Sequence, residues 1–492
     1  MLNVDACLPT GQGHDYQVGT GAGQLTSLEQ VPWELLAPGD TVRIFYRAAP
    51  YRGKFLIAAS GTASAPVRVC GVKSSTGQRP IIDGQNAVSR AGLDYGDSVS
   101  TEYRHQTRSV IVVKKLGAQA WQAFPSHIQI DGLEVRGAVP GNTFTDADGQ
   151  VRGYVAFGAC IWIDRGHNIT LADNVIHDCS QGVYSKSTDD GDFAVSKDIR
   201  LAGNYIHGNG IAGEQSLHNT YMAAANVIYE FNHYGPLRAG AAGNAIKDRS
   251  AGAVVRYNRI EGGAHAIDLV EAEDFPATAL ANPAYRTTMV YGNQIVKDSG
   301  TGSTIHYGGD HPGSTPDGRW GEAFFRHGTL YFYNNTVHLK FTSGTGQIFQ
   351  ASTTLERVEA WNNVFVFDAG ISYPAMRANQ DVNTRYWTPG GIVNLGRNWI
   401  SAGWDDSDPY HTVPGQLLGR TNMLSGPTVP VDWTTLVPRA GGAVLNSAQT
   451  VFSSTVAAAL ALHPVNYQLD AQFKPVIRNV SGGASDLGAI ER

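Results

Sequence analysis

One short phrase returns along residues 165–370 and constrains the fold of the chain more than any other feature. In each copy an apolar residue precedes an Asn by three positions, and one or two apolar residues follow that Asn. The repeated residues are Asn174, Asn204, Asn258, Asn293, Asn335 and Asn363, with a degenerate copy at Asn232. They return after 26 to 42 residues. A period of roughly 20–50 residues is typical of a solenoid, in which each repeat stacks on its neighbours.

The stretches between the Asn residues predict strands. They are rich in Val, Ile and Tyr, alternate with polar residues, and are broken by Gly, Asn and Asp. None contains the roughly ten residues of helical periodicity that a helical repeat needs. Short strands joined by turns, with one coil per repeat, predict an all-β parallel β-helix. The turn Asn of one coil can then stack on that of the next, and its amide can satisfy backbone groups of the turn. Scattered Asn turns in a β-sandwich would not keep a fixed phase.

Length and composition agree with this fold. A solenoid can use all 492 residues as one body, and the 57 Gly suit many tight turns. Charged residues make up 16% of the chain and the net charge is −6, so there is no basic surface that would indicate nucleic acid as a partner. No apolar run reaches the roughly 18 residues that a membrane span needs.

The repeat pattern also divides the chain. Residues 1–55 are expected to form an N-terminal cap, with a helix-like patch at 27–36, because an uncapped solenoid exposes its interior and unpaired strands. Residues 56–370 are expected to form the β-helix, with the functional coils at 155–370. Residues 371–492 read as irregular coils and a loop-rich tail of the same domain.

Four cysteines allow two bridges. A Cys7–Cys70 bridge would hold the N-terminus against the first coil. Cys160 and Cys179 are about one coil apart and are either a second bridge or two buried thiols.

Two further phrases accompany the coils: 38–42 (Pro-Gly-Asp-Thr-Val) and 486–489 (Asp-Leu-Gly-Ala). Together with the Asn-containing coils they resemble the bacterial secreted right-handed parallel β-helix proteins, the superfamily of pectate lyases, alginate lyases and polygalacturonases. The resemblance covers most of the chain. It implies a right-handed β-helix, an acidic polysaccharide as partner, and a secreted or periplasmic location. The sequence starts with no charged or apolar leader, so a signal peptide is taken to be absent from it. We expect a monomer.

Function on this fold has to be argued from a site. Aligning the strands that follow the Asn turns on their inward residues gives the set Thr220, Ile246, Ile267, Ile305 and Ile348. Because strand side chains alternate, the next residues point outward and stack about 4.8 Å apart. This outward column reads Tyr221, Lys247, Asp268, His306 and Phe349. Polar residues flank the column: His218, Asn219, Arg249, His265, Glu271, Glu273 and Asp274. A slip of one residue would turn these side chains to the other face.

These groups suit β-elimination on a uronate. Lys247, crowded by Arg249, would have its charged form disfavoured and could act as the base. Arg249 could bind the uronate carboxylate and take up developing charge. Tyr221 is the candidate acid, or the base if His218 or His306 assists it. The expected substrate-binding residues are Asn219, His265, Asp268, Glu271, Glu273 and His306. The Lys-plus-Arg pair looks like the arrangement in alginate-type lyases, although their surrounding motif is not matched. The predicted function is therefore a polysaccharide lyase.

Other interpretations stay open. Asp268, Glu271 and Glu273 could support hydrolysis, which needs one protonated and one ionised carboxyl, but the polygalacturonase signatures are missing from the chain. A non-catalytic carbohydrate-binding solenoid would use its aromatic residues to stack on sugars. A C5-epimerase shares the first proton abstraction, but the Asp-Pro-His-Asp phrase of alginate epimerases is missing. Finally, Lys247 and Asp268 could be no more than an ion pair on a solvated strand.

A metal site is the last candidate. Asp189, Asp190 and Asp192 form an acidic turn whose oxygen atoms are plausible Ca²⁺ ligands. Asp146 and Asp148 form a similar turn. Neither is a complete binding loop, so Ca²⁺ is the one cofactor considered. No Cys/His spacing argues for zinc.

Overall fold

The computed structural model describes residues 6–97, 104–311, 321–378, 391–407 and 416–492. The chain divides into two compact units. The first contains residues 2–228 and 237–243, and the second contains residues 229–236 and 244–492. The domain boundaries expected at residues 55 and 370 stay predictions.

The first unit is built of parallel strands that return to the same three sheets once per coil. Residues of successive coils are paired in register, for example Ile128, Ile169 and Ile199. One sheet contains Asp15–Val18, Thr41–Phe45, Val67–Val72, Ser126–Asp131, His167–Ala172 and Lys197–Ala202. Another contains Gly53–Ile57, Ser109–Val113, Ala159–Asp164, Val183–Lys186 and Thr220–Met222, with Ala87–Ser89, Thr143–Thr145 and Val151–Gly153 at one edge. The last contains Ile81–Asp83, Glu134–Arg136, Val175–His177 and Tyr205–His207.

The second unit repeats this plan. The sheet that carries the candidate site contains Ile246–Asp248, Ile267–Leu269, Ile305–Tyr307, Thr345–Ala351, Tyr373–Arg377 and Asp405–Ser407. The next contains Val254–Arg256, Thr287–Tyr291, Thr329–Tyr333, Arg357–Trp361, Ile392–Leu395 and Gln416–Leu418. The last contains His233–Tyr234, Arg259–Glu261, Gln294–Lys297, Thr336–Leu339, Val364–Phe367, Asn398–Ser401 and Met423–Gly426. Strand Ala225–Glu230 has residues of both units. The predicted parallel β-helix is confirmed.

Little of the described chain is helical. The α-helices are His105–Arg108, Pro276–Ala281 and Ser454–Leu462. The short 3₁₀ turns include Leu28–Gln30, Trp33–Leu35, Asp192–Ala194, Pro283–Arg286, Glu322–Phe324 and Arg420–Asn422. A two-stranded antiparallel hairpin, Tyr467–Leu469 with Pro475–Ile477, lies near the C-terminus. No helix in the described ranges is long and apolar enough to cross a membrane.

The predicted Asn ladder is confirmed within each unit. In the first unit the side-chain amide of Asn174 donates to Asn204 Oδ1 at 3.1 Å. In the second unit each amide donates to the next Asn at 2.8–3.1 Å. The members of this ladder are Asn232, Asn258, Asn293, Asn335, Asn363 and Asn398. The same oxygens also accept backbone N–H groups, so the ladder satisfies buried turn groups that have no strand partner.

The N-terminal cap and the bridges follow the sequence as well. Residues 27–36 form two 3₁₀ turns, and Trp33 stacks on Phe55 with ring centroids 3.9 Å apart. Both cysteine pairs are disulfides, Cys7–Cys70 and Cys160–Cys179. The choice that the sequence left open for Cys160 and Cys179 is thereby decided in favour of a bridge.

Candidate functional site

The candidate site lies on four neighbouring strands of the second unit: β1 (Ile246–Asp248), β2 (Ile267–Leu269), β3 (Ile305–Tyr307) and β4 (Thr345–Ala351). Ile246, Ile267 and Ile305 pair in register and are fully buried. Because side chains alternate along a strand, the residue after each Ile points to the opposite face. Lys247, Asp268 and His306 therefore lie side by side on the outer face, in the predicted order.

The column ends differently from the prediction. His306 pairs with Gln350, and Ile305 pairs with Phe349. Phe349 is buried, and its ring contacts Phe332 and Phe365. The alignment of Ile348 with Ile305 was wrong by one residue, because two adjacent apolar residues left the inward position ambiguous.

Lys247 and Asp268 form a buried ion pair. Lys247 Nζ lies 2.7 Å from Asp268 Oδ2, and the two residues are only 5% and 2% exposed. The side-chain amide of Asn244 donates to the same oxygen at 2.7 Å. This pair is shielded from water, unlike the solvated pair considered from the sequence. Burial favours the neutral form of Asp268, but Lys247 and the hydrogen bond with His306 outweigh burial and hold its pKa far below the ordinary value.

Asp310 is the carboxylate on which the cations of the site meet. Lys247 Nζ donates to Asp310 Oδ2. Arg249 Nη2 lies 3.0 Å and 3.2 Å from the two oxygens of Asp310. Burial would raise the pKa of Asp310, but Lys247 and Arg249 lower it well below its usual range. The expected crowding of Lys247 by Arg249 is thus offset by two carboxylates.

Arg249 is held by further acidic groups. Its Nη1 lies 3.2 Å from Glu271 Oε2 and 2.9 Å from the Glu271 carbonyl oxygen. Its Nη2 lies 3.3 Å from Glu273 Oε2. The guanidinium is 4% exposed, whereas the Asp310 side chain is 28% exposed. The cation is therefore fixed by the protein, and Asp310 lies nearer to solvent.

His311 is the third cation. Its Nδ1 lies 2.7 Å from Glu271 Oε1 and 3.1 Å from Asp310 Oδ1. Burial acts to lower its pKa, but the hydrogen bonds with Asp310 and Glu271 raise it to about 9. His311 therefore carries a proton at neutral pH, and its side chain is 31% exposed.

His306 connects Asp268 to a serine. His306 Nδ1 lies 2.9 Å from Asp268 Oδ1, and Nε2 lies 3.0 Å from Ser352 Oγ. His265 lies next to His306, with ring centroids 5.1 Å apart. Its Nδ1 lies 2.9 Å from the Ser303 carbonyl oxygen. Burial lowers the pKa of His265 to about 4, so this ring is neutral at pH 7.

A buried arginine supports the strands beneath the site. Arg326 is fully buried and donates to the backbone oxygens of Asp248, Ser250 and Val270 at 2.9–3.1 Å. It also pairs with Asp248 Oδ1 at 3.0 Å. The second carboxylate oxygen of Asp248 accepts from the hydroxyl of Tyr229 at 2.6 Å. Arg326 thereby fixes the ends of β1 and β2, where Arg249 and Glu271 begin.

The remaining predicted residues lie in the first unit. Tyr221 is 7% exposed within an aromatic cluster that includes Trp162 and Tyr184. The ring of His218 lies 5.6 Å from that of Tyr221. Asn219 is buried and accepts from the amide of Asn209 at 3.0 Å. The structure therefore gathers Lys247, Arg249, Asp268, Glu271, Glu273, His265 and His306 in one unit, and places these three in the other.

Two groups of the second unit have the residue types of a metal site. They are His265, Asp268 and His306, and Glu271, Asp310 and His311. In each group the ligand atoms lie within 4.8 Å of one another. Lys247 and Arg249 already contact the carboxylates of both groups. Any metal ion would therefore compete with these two cations.

The predicted Ca²⁺ turn looks different. Asp190 accepts from the hydroxyl of Thr188 at 2.7 Å. The Asp192 side chain is 86% exposed and pairs with Lys197. Ca²⁺ binding by Asp189, Asp190 and Asp192 stays a prediction.

Sequence reasoning missed four residues of the site: Asn244, Asp310, His311 and Ser352. Asp310 and His311 follow β3 after two glycines, and they are the first charged pair after that strand. That position was the available signal. The positions of Asn244 and Ser352 depend on how each coil bends before or after its strand, which strand periodicity does not encode.

No protein-family model and no curated protein matches the sequence. Several solved structures resemble it. An alginate lyase from Paenibacillus sp. is 15% identical with a TM-score of 0.39, and the match covers 80% of this chain and 94% of that chain. Pectate lyase Pel9A is 12% identical with a TM-score of 0.42, over 99% and 100% of the two chains. An exopolygalacturonase from Yersinia enterocolitica is 12% identical with a TM-score of 0.39, over 80% and 73%. Likeness at this level does not assign an activity.

Proposed function

We propose that the protein is a polysaccharide lyase that cleaves a uronate-containing polysaccharide by β-elimination. The observation that supports this most is the meeting of Lys247, Arg249 and His311 on the single carboxylate of Asp310. Three cations arranged around one carboxylate, beside a buried base candidate, are the groups that elimination next to a carboxyl requires.

Arg249 and His311 bind the carboxylate of the sugar. Arg249 is held by Glu271 and Glu273, so little side-chain freedom is lost when it binds a ligand. A fixed cation stabilises the negative charge that develops on the carboxyl when the neighbouring carbon loses its proton. Asp310 is the exposed carboxylate of the cluster, and the sugar carboxylate shares or takes its contacts.

Lys247 is the base. It first gives an ammonium proton to Asp310, the exposed carboxylate that it contacts, which releases the proton to solvent. The resulting amine takes the proton from the carbon next to the carboxyl. The electron pair forms the new carbon–carbon double bond, and the bond to the leaving oxygen breaks. His311, protonated at neutral pH, donates a proton to that oxygen. Tyr221, the acid expected from the sequence, is almost completely buried among aromatic rings, so the role is given to His311.

Hydrolysis fits less well. It requires one carboxyl that holds a proton at the working pH. Asp268 and Asp310 both have lowered pKa values because of their cationic neighbours. The two disulfides favour an oxidising compartment, which agrees with a secreted or periplasmic enzyme.

The test is a panel of uronate polysaccharides with and without Ca²⁺, followed by ultraviolet absorbance of the unsaturated product and by a reducing-end assay. We expect absorbance to rise with at least one substrate, and Lys247→Ala and Arg249→Ala to abolish the rise. Asn394→Ala, on another face of the same unit, is the control and should retain full activity. New reducing ends without absorbance would instead indicate hydrolysis, and no product from any substrate would favour a binding protein.

A further inference from the structure

Ser352 lies at the end of a buried chain of contacts that begins at Lys247. Lys247 Nζ is 2.7 Å from Asp268 Oδ2, Asp268 Oδ1 is 2.9 Å from His306 Nδ1, and His306 Nε2 is 3.0 Å from Ser352 Oγ. All four residues are at most 5% exposed. Both ring nitrogens of His306 are thus engaged within the protein.

Ser352 also holds the turn that carries Asp310. Its hydroxyl oxygen accepts from the Gly309 N–H at 2.9 Å and lies 2.7 Å from the Gly309 carbonyl oxygen. A side chain at Gly308 would come within 2.7 Å of Ser352, so the turn approaches Ser352 as closely as glycine allows. Asp310 returns to Lys247. The contacts therefore close a ring that reaches Lys247 from both sides.

We propose that His306 and Ser352 are positioning residues for Lys247, a role that rests on the proposed lyase function. His306 fixes the orientation of the Asp268 carboxylate, and that carboxylate fixes the amine. Ser352 fixes the His306 ring and, through Gly309, the position of Asp310. This differs from the substrate-binding role expected for His306 from the sequence. A hydrogen-bonded orienting shell of this kind sets how well a catalytic group is placed, and a misplacement of about 1 Å can cost about a hundredfold in rate.

Two substitutions of His306 separate its two contacts. His306→Asn keeps a donor near the position of Nδ1, which contacts Asp268, and loses the contact with Ser352. His306→Gln keeps a group near Nε2 and loses the contact with Asp268. If Asp268 transmits the effect, kcat falls about a hundredfold in His306→Gln and much less in His306→Asn, while KM changes little in either. Ser352→Ala should give an intermediate kcat, and Ser352→Thr, which keeps the hydroxyl, should recover part of it.

The pH dependence supplies a readout that a purely structural role would not move. The hydrogen bond with His306 lowers the pKa of Asp268, so its loss in His306→Gln should shift the acidic limb of the kcat profile upward, and His306→Asn should leave that limb in place. An NMR titration of the Lys247 Nζ signal in both variants tests the same point without any activity. Equal kcat and equal titration in the two variants would overturn the positioning role even if Lys247→Ala remained inactive. A wild-type protein that forms no unsaturated product would overturn the lyase proposal, and the titration would still decide whether His306 acts on Lys247.

Discussion

Lys247 Nζ and Asp268 Oδ2 lie 2.7 Å apart at the outer face of the β-helix, with both side chains buried. Removing one member of a buried ion pair leaves the other charge uncompensated, which costs about 3–5 kcal/mol. We expect Asp268→Asn to lower the free energy of unfolding by about that amount, measured by chemical denaturation. Asp310→Asn is the matched control, because Asp310 also contacts Lys247 but is partly exposed. Equal losses in the two variants would contradict a special role for the buried pair.

The charge of His311 should make the protein sensitive to alkaline pH. Its pKa is raised to about 9 from the ordinary 6.5, so the native state holds a proton that the unfolded chain has lost. The stabilisation is complete below pH 6.5 and is lost as the pH rises through about 9. We expect the free energy of unfolding and the affinity for a uronate oligosaccharide to fall across this window. In His311→Gln both should be flat there, and a wild-type slope in that variant would rule out His311 as the cause.

Glu356 should produce a slope of the same sign at lower pH. This carboxyl is fully buried, and burial raises its pKa to about 7 despite hydrogen bonds from Thr353 and His327. The native carboxyl therefore keeps a proton that the unfolded chain loses near pH 4.5. The free energy of unfolding should fall as the pH rises from 4.5 to about 7, by at most about 3 kcal/mol. Glu356→Gln should remove this slope, and Glu359→Gln, a partly exposed carboxylate, should keep it.

The Asn ladder gives a test of the fold itself. Asn293 donates to Asn335 and to two backbone oxygens, and it accepts from the backbone and side chain of Asn258. Asn293→Ala leaves these buried groups unpaired, at about 1–3 kcal/mol for each unsatisfied group. We expect a loss of at least about 2 kcal/mol in the free energy of unfolding. Asn394→Ala removes one contact, with Glu359, and should cost less than half as much.

Much of this architecture could be predicted from sequence because its cause is periodic. The spacing of Asn258, Asn293 and Asn335 is visible in the chain, and each forms a rung of the ladder. The outward order of Lys247, Asp268 and His306 follows from alternation around three inward Ile residues. Alternation was ambiguous only at Ile348 and Phe349, where two apolar residues are adjacent.

The parts of the site that escaped prediction come from turns. Asp310, His311 and Ser352 reach the cluster because the backbone bends sharply at Gly308 and Gly309. The conformation of such a turn depends on packing against neighbouring coils, and a single sequence does not specify it. For the same reason the sequence could place Lys247 beside Asp268 but could not show that Asp310 also contacts its amine.

The most direct measurement is the mass of the products formed in heavy-oxygen water, with the polysaccharide that gives the largest rise in absorbance. β-Elimination breaks the glycosidic bond without adding water, so the new unsaturated ends should be lighter than hydrolytic ends by one water and should carry no solvent oxygen. Lys247→Ala should yield no such products. Heavy oxygen incorporated at the cleaved bond, or unsaturated products formed equally by Lys247→Ala, would contradict the proposed function.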